Sequence, residues 1–168
     1  SLYGHASMLR IGIIGASGFT GAELLRIAAQ HPDYDVVVAT ADSQAGVRAA
    51  DLYPGLAAAY PDLVFEAFDI ERVQGLDLVF LGLPHEASMA LAPQLVGRAG
   101  CVVDLSAAYR LKDPSAYPTY YGFEHDQLGE VELGGWDLMY AGANVPPRFL
   151  EREIAPHSEL AIWQLLVS

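Results

Sequence analysis

The sequence predicts an α/β fold, a doubly wound, mostly parallel sheet with helices on both faces. Three observations carry this. Short β-branched runs stop at glycine or proline, as strands buried on both faces of a parallel sheet do. Apolar residues at spacings of three and four lie between those runs, the mark of helices with one packed face. The links are short, so strands and helices alternate in the manner that parallel pairing requires. With 168 residues, 52% hydrophobic and 18% charged, the chain can bury one sizeable core, and the prior of ~100–200 residues per domain allows one domain with an appendage.

The elements follow in order. Leu9 to Ile14 is the first strand and stops at Gly15. A glycine turn, Gly15-Ala16-Ser17-Gly18-Phe19-Thr20-Gly21, comes next. The recurrence of Ala22, Leu24, Leu25, Ala28 and Ala29 then predicts a helix from about Thr20 to Gln30, which His31-Pro32 ends. Val36 to Ala39 is the second strand, closing a β-α-β unit of right-handed crossover. Asp42 to Gly46 reads as a loop and Leu52 to Leu56 as turn-rich. Leu63 to Phe65 is expected as a short strand, and Leu76 to Leu83, closed by Pro84, as a central one. Glu86 to Val96 predicts a helix with apolar Ala87, Ala90, Leu91 and Leu95, followed by a buried strand from Cys101 to Leu105. Beyond about Leu111 the chain becomes aromatic and turn-rich through Tyr117-Pro118-Thr119-Tyr120-Tyr121-Gly122.

A glycine turn between strand and helix points to a bound phosphate. A side chain at Gly15 or Gly18 would block the tight turn or the backbone's approach to a pyrophosphate, and Gly21 lets the helix lie close to the strand. The helix start then presents unpaired N–H groups and the positive end of its dipole to phosphate oxygens. The spacing is G-x-x-G-x-x-G, a weak signal alone that its placement strengthens. The turn lacks the Gly-Lys-Ser/Thr ending of a nucleoside triphosphatase loop. For the choice of dinucleotide, Asp42 at the end of the second strand suits a free ribose 2′-hydroxyl, whereas Ser43 and Arg48 suit a 2′-phosphate.

Charge and cysteine usage narrow the partners. Nine Lys+Arg against 21 Asp+Glu leave a formal net charge of -12, which argues against nucleic acid and anionic membrane surfaces. No run of about 18 apolar residues suits a transmembrane helix. One cysteine, Cys101, excludes an internal disulfide and a Cys-based metal cluster, no metal site is expected, and the cytoplasm is the expected compartment. Residues 1–7 read as an upstream extension or cloning scar, outside the fold.

The string from Ile13 to Arg26, IIGASGFTGAELLR, closely resembles the N-terminus of the N-acetyl-gamma-glutamyl-phosphate reductase family. Val79 to His85, Val103 to Leu111 and Tyr120 to His125 resemble three further segments of that family, in order and spacing. The resemblance covers about residues 9–125; aspartate-semialdehyde dehydrogenase, more distant, shares the glycine turn but not the Ser106-Ala107-x-x-Arg110-Leu111 loop. It implies a Rossmann-like NADP-binding domain over residues 8–125 and favours Ser43, with Arg48 as partner. It also implies a small acyl-phosphate substrate reduced to an aldehyde in arginine biosynthesis, through a cysteine thiolate that forms a thioester and hydride from the cofactor. By that resemblance Ser17, Gly18, Phe19 and Thr20 hold the pyrophosphate, Pro84 and His85 lie beside the cofactor, and Ser106 and Arg110 face the substrate, the guanidinium suiting a phosphate through paired donors. Structural alternatives stand beside these roles: His85 capping a helix or satisfying a carbonyl, Ser106 closing a turn, Arg110 pairing with Asp113 at the surface. Glu86 stands where the family more often has glycine.

The family's Asn-Pro-Gly-Cys-Tyr motif has no counterpart. Residues 140–147 read YAGANVPP instead, and Cys101, inside an apolar run, reads as a buried, inert thiol. Residues 126–168 are expected as a divergent tail in which His157 is assigned no catalysis. Its apolar stretch Glu159 to Val167 is expected to pack on the sheet or to mark an interface exposed by loss of the second domain; a homo-oligomer is a separate expectation, tied to no segment. Two readings follow: a cofactor-binding portion of the reductase that does not turn over, or a stand-alone dinucleotide-binding or regulatory module.

Overall fold

A computed structural model describes residues 8–109, 111 and 113–126. Arg110 and the stretch Glu159 to Val167 lie outside the described residues. Strands β1 (Leu9–Ile14), β2 (Tyr34–Thr40), β3 (Leu78–Leu81) and β4 (Val102–Asp104) form one sheet, all parallel, in the order β2-β1-β3-β4. The chain starts at the centre, steps to β2, then crosses back to β3 on the other side of β1. The carboxyl ends of β1 and β3 therefore flank a topological switch point, the place where open α/β sheets bind ligands.

Side chains alternate across the strands and feed two cores, one on each face. Ile11, Ile13, Leu78, Phe80 and Val103 meet Leu24, Leu25 and Ala28 of α1 (Phe19–Ala28). Ile14, Val79, Leu81 and Val102 meet Met89, Ala92 and Leu95 of α4 (His85–Leu95). Thus the doubly wound arrangement read from the sequence is the one observed. Between Ile11↔Val36 and Gly12↔Val38 the register shifts, leaving Val37 as a bulge beside Val38.

Four regions depart from the sequence reading. Leu63 to Phe65 is not a strand: the region makes two isolated bridges, Arg48↔Val64 antiparallel and Thr40↔Glu66 parallel. The loop there crosses the sheet edge and has too few partners to extend a ladder. Residues 42–61 carry a short helix α2 (Ala49–Leu52) and a 3-10 turn at Pro54–Leu56. Ile70–Val73 is a further short helix, α3, started by Asp69, whose carboxylate accepts from the Glu71 N–H. In α4 the inward face is Ser88, Met89, Ala92 and Leu95, while Ala87 and Ala90 are exposed. Burying an alanine returns little area, so Met89 and Leu95 set the rotation of the helix, and Ser88 enters the core because its hydroxyl donates to Asp104 at 2.6 Å.

Pro93 lies inside α4. It has no N–H to give to the Met89 carbonyl one turn earlier. The Tyr109 hydroxyl donates to that carbonyl instead, so the proline ties the loop after β4 to the helix after β3. After that loop, a 3-10 turn at Pro114–Ala116 leads into α5 (Tyr117–Tyr120).

Candidate functional site

The glycine turn leaves β1 at the switch point, and its three glycines have different reasons. Gly15 has φ +83, a left-handed conformation, and a Cβ there would stand 2.5 Å from the Gly82 carbonyl oxygen. Gly21, in the first turn of α1, faces backbone: its Cβ would overlap the Ala16 Cα and the Gly15 carbonyl oxygen. Gly18 differs from both. Its φ of -76 suits any residue, and a Cβ would meet only the Gly15 carbonyl oxygen, at 3.6 Å. The chain's own packing does not require glycine at 18, and that side of the turn is open.

The rest of the turn is fixed by backbone and by two residues the sequence reading did not single out. Ala16 N–H donates to the Thr40 carbonyl at 2.7 Å, and Gly15 N–H to Thr40 Oγ1 at 3.4 Å. Tyr53 Oη donates to the Ser17 carbonyl at 2.7 Å. Gly18 is the N-cap of α1 and offers no side-chain cap. The N–H groups of Phe19, Thr20 and Gly21 belong to the first turn and have no carbonyl one turn earlier. Those donors and the helix dipole make an anion cradle. Phe19 is 90% exposed, so its side chain contributes no packing to the fold.

Ser43 and Arg48 are both exposed on the loop that leaves the carboxyl end of β2. Arg48 is already paired, its Nη2 and Nε lying 2.7 and 3.1 Å from the carboxylate oxygens of Asp51. Both side chains are 54% exposed, and such surface pairs are worth ~0–1 kcal/mol. The pair yields readily to a stronger anion.

On the other side of the switch point stand Pro84, the exposed N-cap of α4, and half-buried His85, its first residue. Among the described residues His85 caps no helix end and meets no carbonyl. Its Nδ1 accepts the Ala107 N–H at 3.1 Å, so in the neutral ring the proton sits on Nε2. The ring packs against Phe123 and the edge of Tyr121, with centroids 5.6 and 5.9 Å away. The fourth resembling segment thus packs beside His85. His125 of that segment is buried against Tyr109 and Tyr117, at 5.1 and 4.9 Å, and burial holds its pKa below the ordinary histidine value.

Asp104, the last residue of β4, organises the next loop. It accepts from Ser88 Oγ at 2.6 Å, from Ser106 N–H at 2.9 Å and from Ser106 Oγ at 2.9 Å. Ser106 Oγ in turn accepts the Ala108 N–H at 3.0 Å. The serine hydroxyl therefore closes a turn, and that turn aims Ala107 at His85. Asp113 is engaged with Ser115, whose N–H and hydroxyl donate to it at 2.9 and 2.6 Å.

Cys101, immediately before β4, is fully buried, and burial pushes its thiol from an ordinary 9.0 up to about 12. At neutral pH it is a neutral thiol without nucleophilic character. Native protein is expected to resist iodoacetamide over hours at pH 8 and to take one label when unfolded in guanidinium; rapid native labelling would contradict the burial. Above pH 9 the unfolded thiol ionises while the folded one holds its proton. The stability contributed by that site therefore falls as pH rises towards 12, by ~1.4 kcal/mol per pH unit at most. Among the described residues no group of three or more His, Cys, Asp or Glu side chains suits a metal ion, and no helix is long and apolar enough to cross a membrane.

A parallel sheet of this order, with a glycine turn and an open helix start at its switch point, defines a dinucleotide-binding domain of the doubly wound class. The model of the family described as "Semialdehyde dehydrogenase, NAD binding domain" matches residues 10–149. The chain belongs to that family, and its cofactor is a nicotinamide dinucleotide. It is similar to N-acetyl-gamma-glutamyl-phosphate reductase of Pseudomonas aeruginosa strain UCBPP-PA14, 45% identical over 118 residues, covering 70% of this chain and 34% of that protein. It is likewise similar to the reductase of the same name from Pseudomonas paraeruginosa, 44% identical over 131 residues, covering 78% of this chain and 38% of the relative. The chain thus spans about a third of the length of these curated relatives. In fold it is similar to aspartate semialdehyde dehydrogenase from Candida albicans, solved with NADP, with a TM-score of 0.53 and 23% identity over 64% of this chain and 32% of that one.

Proposed function

We propose that this chain is the NADP-binding portion of an N-acetyl-gamma-glutamyl-phosphate reductase, serving the reduction of that acyl phosphate to the semialdehyde. The observation that carries the reading is the turn at Gly18, open on the one side where the chain's own packing leaves a Cβ free, in a sequence 45% identical to such a reductase. When bound, the reduced cofactor supplies hydride.

The chain's residues hold and orient it. Gly15 and Gly21 shape the turn, Ser17 and Gly18 border it, and the N–H groups of Phe19, Thr20 and Gly21 meet the pyrophosphate. Ser43 and Arg48 take the ribose 2′-phosphate, Arg48 exchanging a half-exposed Asp51 for a dianion in the same two-donor geometry. Pro84 would border the cofactor, and His85 would offer Nε2–H as a donor, its tautomer fixed by Ala107. Ser106 shapes the substrate loop, and Arg110 is assigned to the substrate's phosphate. The thiolate that attacks the acyl phosphate is not Cys101, which is buried and protonated.

Calorimetric titration with NADP and NAD tests this. NADP is expected to bind about tenfold more tightly than NAD, the ~1.4 kcal/mol of one charge-assisted contact discounted for exposure, and Arg48→Ala is expected to remove the preference. Absence of heat with either dinucleotide, on folded protein, sinks the reading.

A further inference from the structure

We infer that Tyr53 is a positioning residue for the phosphate-binding turn, its hydroxyl locking the Ser17–Gly18 peptide at the start of α1. The inference rests on the dinucleotide reading above and adds a residue that directs it from another element. Tyr53 lies 36 residues along the chain from Ser17, just past the end of α2, and donates to the Ser17 carbonyl at 2.7 Å. The N–H of the same peptide, on Gly18, donates to the Gly15 carbonyl at 3.2 Å. One peptide unit is thus held at both polar ends, once by the turn itself and once by the segment after β2.

The physical need for this comes from Gly18. A glycine kept free of a side chain for a ligand's sake also has positive φ within easy reach. Rotation of the Ser17–Gly18 unit would set its carbonyl oxygen against the Gly15 carbonyl that the Gly18 N–H now meets, opening the turn and shifting the first N–H groups of α1 away from an anion. A Ser, Thr or Asp at the N-cap would ordinarily steady such a helix start, and Gly18 provides no side chain to do so. Tyr53 supplies the restraint from outside the motif, without adding bulk on the ligand's side. Its position also links the two ends of the site: α2 begins after Arg48 and ends before Tyr53.

Tyr60 provides an internal control. Its hydroxyl donates to the Leu25 carbonyl of the same helix at 3.0 Å, away from the turn, and both tyrosines pack against the same core. The experiment is calorimetric titration of the chain, Tyr53→Phe and Tyr60→Phe with NADP and with NAD, each protein also melted. Y53F is expected to bind both dinucleotides about 3- to 10-fold more weakly, as loss of one hydrogen bond's restraint implies. The fall is shared because both carry the same pyrophosphate. Y60F is expected to bind as the parent does while losing similar thermal stability. Tyr53→Leu, which also lacks the hydroxyl, gives a second measure should Y53F melt early. Parent-like affinity in Y53F, or an equal loss in Y60F, overturns the role of Tyr53 and leaves the dinucleotide reading intact; no binding by the parent chain overturns both.

Discussion

Gly18→Ala is expected to leave the fold as stable as the parent, within about 1 kcal/mol, and to weaken dinucleotide binding by roughly 10- to 100-fold. The stability half follows from two opposed small terms. Alanine is a poorer N-cap than glycine, a loss of a few tenths to ~1 kcal/mol. It also restricts the unfolded chain, a gain of ~0.4–1 kcal/mol where the native φ is compatible, as the φ of -76 and ψ of 169 at Gly18 are. The binding half follows from where the new methyl sits. Its nearest neighbour in the protein would be 3.6 Å away, so the methyl causes no clash in the free chain and fills the space through which the backbone is approached. Overpacking of that kind costs ~1–3 kcal/mol, about 5- to 150-fold in affinity, which brackets the expected loss. Thermal melts and NADP titration of the same preparation check both halves. An alanine variant that binds NADP like the parent would place the pyrophosphate elsewhere.

The core of this fold was legible because its signals are long. Ile11 to Ile14 and Leu78 to Leu81 are continuous apolar runs, and α1 carries three turns of periodic residues. The elements that escaped are four residues long or shorter: α2, α3 and the 3-10 turns have no room for a period. Asp69, with its carboxylate on the Glu71 N–H, was the one local signal that marked α3. The inward face of α4 is not its list of apolar residues, because alanines count as apolar in a pattern while gaining little by burial, whereas Ser88 is drawn inward by Asp104, a partner 16 residues away.

The site divided along the same line. The glycine turn is a contiguous string, so its glycines and its placement between strand and helix are readable together. Tyr53 and Thr40 act on that turn, and Asp104 on the loop after β4, through contacts between elements, and nothing in their own neighbourhoods marks them. Ser106 shows the reverse case, a residue named for the substrate whose hydroxyl also builds the turn that aims Ala107 at His85.

Gly15→Ala and Gly21→Ala are expected to act through stability, opposite to the Gly18 variant of the same motif. At Gly21 the added Cβ meets backbone on two sides, the Ala16 Cα and the Gly15 carbonyl oxygen, and no rotamer change relieves it. The helix must move off the strand, disturbing the packing of Leu24, Leu25 and Ala28 against Ile11 and Ile13. Against this stands only the ~1 kcal/mol by which alanine exceeds glycine in a helix interior. A net loss of about 2–3 kcal/mol follows, the upper part of the overpacking range and a sizeable fraction of the ~5–15 kcal/mol that holds a domain of this kind together. Gly15→Ala adds to its clash with Gly82 the left-handed φ of +83, which costs an L-residue ~1–2 kcal/mol more. Melting temperatures are therefore expected to rank Gly18→Ala near the parent, Gly21→Ala lower and Gly15→Ala lowest. Dinucleotide affinity ranks differently, since Gly18→Ala loses binding at temperatures where it is fully folded. If all three variants lost stability alike, the motif would be a packing device and the opening at Gly18 would have no ligand to explain it.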